Sequence, residues 1–475
     1  MATRVERSLH AIKQFNTTFH KTSSVTESRR ASASSSSGDS WENGFICERL
    51  RDRIHGFEKH ITNSPTGLMR RVYPKNDVYR VLTCKNIRSL LQCPCEGKWC
   101  RGRMSPATEQ KITTIFSEYR LIFAILLEME RLCLIHSFVE LGFTDESVLA
   151  HPLQQSELEQ VMDDAYIRHG IRDNHFWKTF HHHKQYEFLL PNIPALEKAD
   201  ADDIFTVNIS RTLPINLKRQ LGRGGYGDVY QAELLDGYHS LETIDGCVAV
   251  KIFRVSSSSG SEKSRDYDDE DDYYTGAGDW DDQDCAAETR NNKRFQHSNI
   301  VPMLASLSHG PENMSFYPIA RTSLQALISE PTLTPPNNTT VRIVEQVADL
   351  FSALNQIHTG NENGCGYHLD IKPANILVRA DDSFALTDLG MAHFKTHQEV
   401  QQDRSFSETR MRPCSEEYAG PELTGKRIHR SFDIWAMGAV FLELLVWIAE
   451  GRDGVRKFHN ARKTKKDYKI SPLRP

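Results

Sequence analysis

Tyr367-His368-Leu369-Asp370-Ile371-Lys372-Pro373-Ala374-Asn375-Ile376-Leu377 places a carboxylate, an ammonium and an amide at close, fixed spacing. Asp370 can orient a hydroxyl and accept its proton, Lys372 can offset charge on a transferring phosphoryl group, and Asn375 can hold a divalent cation. Working outward, Leu221-Gly222-Arg223-Gly224-Gly225-Tyr226-Gly227-Asp228-Val229-Tyr230 carries three spaced glycines, at 222, 224 and 227, ahead of an apolar run. Without a Cβ, the backbone at those positions can approach a phosphate closely. The residues that follow the glycines predict a hairpin and not a strand-to-helix turn. Val248-Ala249-Val250-Lys251 reads as a β-branched strand with a charged exit. Beyond it come Glu288 in Ala286-Ala287-Glu288-Thr289-Arg290, then His297-Ser298-Asn299-Ile300-Val301. Downstream stand Phe384-Ala385-Leu386-Thr387-Asp388-Leu389-Gly390, Tyr418-Ala419-Gly420-Pro421-Glu422 and Asp433-Ile434-Trp435-Ala436-Met437-Gly438.

In this order the motifs resemble those of the eukaryotic-type protein kinases, serine/threonine class. The resemblance implies an α+β, bilobal kinase fold, with a small lobe of antiparallel strands plus one helix and a helical second lobe. It implies ATP and Mg²⁺ as ligands, and a protein Ser/Thr hydroxyl as acceptor. By that resemblance Gly222, Arg223, Gly224 and Gly227 cover the phosphates, Lys251 grips them and pairs with Glu288, and Val229, Ala249 and Leu377 sandwich the adenine. Asp370 and Lys372 serve the transfer, while Asn375 and Asp388 hold the metal. The hinge to the adenine is expected near Tyr317-Pro318-Ile319-Ala320. Ser415 stands where the family has a threonine near the catalytic aspartate, and Lys372 fits Ser/Thr rather than Tyr kinases.

Departures from the pattern raise competing expectations. Leu369 replaces the arginine that in the family binds a phosphorylated activation loop, so phosphate on Ser405, Ser407 or Thr409 need not order that loop. Leu389 and Gly420 replace the usual phenylalanine and alanine, and Asn292 stands where kinases place an apolar residue. After the apolar helix from Trp435 to Glu450 the chain ends at Pro475, so the second lobe reads as shortened and Glu422 as lacking its usual arginine partner. An active kinase explains the complete set of catalytic residues. An ATP-binding pseudokinase, or an interaction protein with a degenerate kinase domain, explains the departures.

Composition frames the rest. The 475 residues carry 58 Lys+Arg against 63 Asp+Glu, and the resulting charge of −5 gives no global pull toward nucleic acid or anionic membrane. No run reads as apolar enough to span a bilayer, and without a secretory segment the expected location is intracellular, cytoplasmic or nuclear. Residues 1–41 are serine-rich and read as a disordered leader. Residues 42–202 read as a mainly helical region of unknown role, with one helix expected from Thr108 to Leu141 and a stop at Gly142. The region resembles leaders that precede divergent kinase domains of filamentous fungi. The kinase domain is placed at 204–475, interrupted by an acidic insertion at 255–285 whose density of like charge predicts an extended segment, or an arm for a basic partner. Cys84, Cys93, Cys95 and Cys100 have thiols enough for zinc but not the usual paired spacing, so reduced thiols compete with a metal site.

Overall fold

The β-branched run ahead of Lys251 predicts a strand and the periodicity of Val341 to Ile357 a helix, and the structure has a strand at Cys247–Phe253 and a helix at Thr339–Thr359. It is a computed structural model describing residues 45–65, 67–93, 108–170, 172–196, 204–224, 227–253, 281–330, 339–360, 364–395, 417–420 and 430–464. Two compact units emerge. One contains the described residues up to Phe57 with Asp77–His181, and the other contains Glu58–Asn76 with the described residues from His182 onward.

The first unit is helical: α1 (Ile46–His55), α2 (Cys84–Leu91), α3 (Glu109–Glu118), α4 (Arg120–Glu128), α5 (Ile135–Leu141) and α6 (Gln155–His169). Thr83 and Thr108 cap α2 and α3, each side chain accepting a backbone N–H from the first turn. The single helix expected from Thr108 to Leu141 is broken twice. Tyr119 leaves helical geometry between α3 and α4, and Glu130 adopts a left-handed φ of 57°. Gly142 ends α5 at φ 73°, where a residue without Cβ is favoured. Leu121 through Leu127 are all buried, and Phe138 packs with Phe176 and Phe180. Cys93 Sγ lies 3.7 Å from Cys47 Sγ, while Cys95 and Cys100 fall outside the described residues. Among the described residues no cluster of three or more His, Cys, Asp or Glu is placed to hold a metal.

The second unit opens with the hairpin β1 (Lys59–Thr62) and β2 (Met69–Val72), which packs on a six-stranded sheet. That sheet contains β3 (Phe205–Val207), β4 (Ile215–Arg223), β5 (Gly227–Leu234), β6 (Cys247–Phe253), β7 (Ala305–His309) and β8 (Glu312–Pro318), in the order β3-β7-β8-β6-β5-β4. Strand period two explains its two faces: Val248, Val250 and Ile252 of β6 enter one core with Leu213, Ile215, Leu307 and Phe316, leaving Ala249 and Lys251 on the other face. All neighbours are antiparallel except β3, which runs parallel to β7 and covers that edge. The hairpin is anchored where Thr62 N donates to Asn216 Oδ1, and Ile61, Val72, Leu190, Leu235 and Tyr238 share a small apolar core.

After β6 comes α7 (Asp281–Arg294). The helical layer follows with α8 (Leu324–Ser329), α9 (Thr339–Thr359) and α10 (Arg430–Thr464), the last kinked at Gly451. Short strands lie among these helices: β9 (Thr322–Ser323), β10 (Cys365–Tyr367), β11 (Ile376–Val378), β12 (Phe384–Leu386) and β13 (His393–Lys395). Ala436, Met437, Val440, Leu444 and Trp447 of α10 enter the core formed by Leu350, Leu354, Ile357 and Leu386. The expectation that no run could span a bilayer meets one exception: by length and composition, Arg430–Ala461 is long and apolar enough. Here its inner face is core, while Ile434, Trp435 and Leu442 are exposed.

Candidate active site

The quoted stretch folds as β10, a loop, a 3-10 turn at Pro373–Asn375, and β11. The loop is strained, since Leu369 has φ 65°, a conformation L side chains rarely adopt. Asp433, fully buried at the start of α10, offsets that strain by accepting the backbone N–H groups of His368 and Leu369 at 2.8 Å each. Its Oδ2 also meets His358 Nε2 of α9 at 2.8 Å, so two helices brace the loop. The Leu369 side chain packs with Met391 and Phe432 in an apolar cluster, where the family's arginine would not be accommodated without a charge partner.

Within the loop, Asp370 receives three donations. Lys372 Nζ reaches its Oδ2 at 2.7 Å, and Asn375 Nδ2 donates to both Oδ2 at 2.8 Å and the backbone carbonyl at 2.9 Å. The carboxylate is thereby held in one orientation. β11 pairs antiparallel with β12, and Thr387 N donates to Asn375 O at 3.0 Å, which sets Asp388 beside Asn375. An aspartate oxygen with an amide oxygen is a hard donor set of the kind Mg²⁺ takes, so the residues present fit that ion.

Across the cleft, Lys251 Nζ bridges two carboxylates, Glu288 Oε2 at 2.6 Å and Asp388 Oδ1 at 2.8 Å. Burial opposes the charge on Lys251, but the two carboxylates dominate and hold its ammonium above the ordinary lysine range. Asp388 shows the converse: burial pushes its carboxyl up, yet Lys251 overrides this and keeps it below the usual range, with His368 and Lys372 adding. Burial raises Glu288, against the pull of Lys251 and of the Tyr317 hydroxyl, which donates to Glu288 Oε1. Tyr317 faces Ala249 across β6 and β8, so its ring reaches the lysine pair instead of serving only as backbone near the hinge. The register of β6 and β8 decides this, and no local motif encodes it.

The glycine-rich segment spans the end of β4 and the start of β5, with Gly224 N donating to Gly227 O at 2.9 Å and Arg223 3.6 Å from Asp228. A Cβ on Gly227 would sit 2.5 Å from the Ile252 carbonyl oxygen, so only glycine fits there. Val229 pairs with Lys251 in the ladder, and Ala249 and Leu377 flank the cluster of Val301, Met303, Tyr317 and Ala385. Asn292, the departure on α7, accepts the Met303 N–H at 2.8 Å, so its amide ties the helix to the following turn. Residues 225–226, Ser405, Ser407, Thr409, Ser415, Glu422 and the insertion through Trp280 lie outside the described residues.

The family profile described as a protein kinase domain matches residues 215–469. The serine/threonine-protein kinase PknH of Mycobacterium bovis is 29% identical over 234 residues, covering 49% of this chain and 33% of that protein. PknD of Mycobacterium tuberculosis is 31% identical over 270 residues, 55% of this chain and 34% of that one. The serine/threonine kinase NLK of Caenorhabditis elegans is 29% identical over 160 residues, 32% and 23% of the two chains. The chain spans about a third or less of the length of these relatives. A profile match over more than half the chain, falling on the strands and loops that gather Lys251, Asp370 and Asp388, places the chain in the protein kinase domain family.

Proposed function

We propose that this chain transfers the γ-phosphoryl group of ATP to a serine or threonine hydroxyl of a protein substrate. The observation that carries this reading is a pair of clusters, Lys251 with Glu288 and Asp388, and Asp370 with Lys372 and Asn375, joined where Thr387 N donates to Asn375 O and Lys372 acts on Asp388. Lys251, held charged by Glu288, binds the phosphates. Asp370, fixed by Asn375 and Lys372, orients the acceptor hydroxyl and takes its proton. Lys372, 2.7 Å from Asp370, offsets charge on the phosphoryl group as it passes. Asn375 and Asp388 would hold Mg²⁺, which when bound supplies charge neutralisation on the phosphates. The glycines at 222, 224 and 227 let the hairpin lie close over the nucleotide.

The names of the relatives support the serine/threonine class, as does Lys372 following Asp370-Ile371. The test is phosphate transfer from Mg·ATP to a generic Ser/Thr substrate, with Asp370→Asn as control. Turnover that falls about 10²–10⁴-fold in that variant supports the reading, the range expected for loss of a positioned general base. An unreactive wild type that ATP nevertheless stabilises thermally would instead support the pseudokinase reading.

A further inference from the structure

Glu288 and Asn291 lie one turn apart on α7 and face the same way. Asn291 is buried, and its Nδ2 donates to two carbonyls, Leu389 O at 3.0 Å and Ala392 O at 2.8 Å. Those carbonyls bracket the 3-10 turn Leu389–Met391, which begins immediately after Asp388. Asp388 has φ 64°, an unfavourable conformation for a residue with a side chain, so the turn needs outside support to stay where it is. The same turn lies against Glu288 as well: a Cβ on Gly390 would come 3.1 Å from Glu288 Oε2.

We propose that Asn291 is a positioning residue that makes the Glu288 helix and the Asp388 loop move as one body. Lys251 draws its two carboxylate partners from these separate elements. If the helix moves without the loop, or the loop without the helix, both buried amide hydrogen bonds are broken. Asn291 therefore keeps the metal-binding carboxylate aligned with the phosphate-binding lysine, without any phosphate on the activation segment. This rests on the phosphotransfer reading for its catalytic consequence, but not for the coupling itself.

The test uses the full chain and the variants Asn291→Leu, which removes both donors at similar volume, and Asn291→Asp, which keeps the shape and removes the donors. With Mg²⁺ titrated at fixed ATP, the variants should need about tenfold more Mg²⁺ for half-maximal rate and lose about tenfold to a hundredfold in kcat, with KM for the peptide unchanged. Hydrogen exchange of the nucleotide-free wild type supplies the second measurement: amides of 286–294 and 388–392 should open together, with one common protection factor. In Asn291→Leu the loop amides should exchange at least tenfold faster than those of the helix. Equal Mg²⁺ requirement and kcat per folded molecule, or separate opening of helix and loop in the wild type, overturns the proposal. If the variants do not fold, the wild-type exchange pattern decides alone. Common opening in a wild type that transfers no phosphate upholds the coupling and overturns the catalytic reading.

Discussion

Tyr317 supports the Lys251–Glu288 pair from outside the motifs. Its hydroxyl is a neutral donor to a carboxylate buried on all sides, so Tyr317→Phe leaves Glu288 one donor short. The loss should cost about 1–3 kcal/mol and lower kcat roughly tenfold, read from denaturant unfolding and steady-state kinetics. Unchanged values in both would remove Tyr317 from the site. Lys251 carries a pH prediction. Its folded pKa is raised above the ordinary 10.5, so its contribution to stability is complete below that value and is lost only as pH rises through the higher folded one. The pH–rate profile should accordingly show no alkaline limb from Lys251 up to about pH 10, and a decline between pH 8 and 9 that Lys251→Arg abolishes would contradict this. The motif residues were legible because their chemistry is written in local spacing. Tyr317 and Asn292 were not, because their roles come from strand register and from a turn eleven residues away.

At the scale of elements, α10 does more than fill the core. Asp433 at its start holds the strained loop at Leu369, and Glu443 further along accepts the Tyr418 hydroxyl at 2.8 Å. Past the kink at Gly451, His459 returns to the same carboxylate, with Nε2 2.6 Å from Glu443 Oε1 and Nδ1 3.8 Å from Glu417. The terminal part of the helix is thus pinned to the segment that carries Tyr418. His459→Ala should lower stability by about 1–3 kcal/mol and speed proteolytic cleavage near Glu417. Cleavage at the wild-type rate would show that the pin does not hold. The sequence ends the apolar helix at Glu450, whereas the structure continues it past Gly451, whose positive φ makes a kink, and not a stop, of that position. Likewise the breaks at Tyr119 and Glu130 interrupt an apolar pattern that looked continuous, since periodicity reports which face is buried and not where the backbone turns.

For the molecule as a whole, the sheet that carries Lys251 has borrowed support from far upstream. Leu235 and Tyr238 are buried with Ile61, Val72 and Leu190, Ile193 N donates to Tyr238 O at 2.7 Å, and Leu196 N donates to Leu304 O at 2.8 Å. A chain begun at Ile204 loses all of these partners. Uncovering two large side chains at about 1.5–3 kcal/mol each should cost about 3–6 kcal/mol relative to a chain begun at Glu58, measured by denaturant unfolding. Equal midpoints would mean that the upstream segments rest on the sheet without supporting it. By itself the sequence determined the kinase-type fold and its order of motifs, because glycine placement, strand alternation and the spacing of Asp370, Lys372, Asn375 and Asp388 are properties of short segments. Only the tertiary structure decided that Glu58–Asn76 packs with the strands after Ile215, that Tyr317 donates to Glu288, that Asn291 ties its helix to the turn after Asp388, and that Asp433 braces Leu369. Those contacts join residues distant along the chain, and their geometry exists only once the backbone has closed around them.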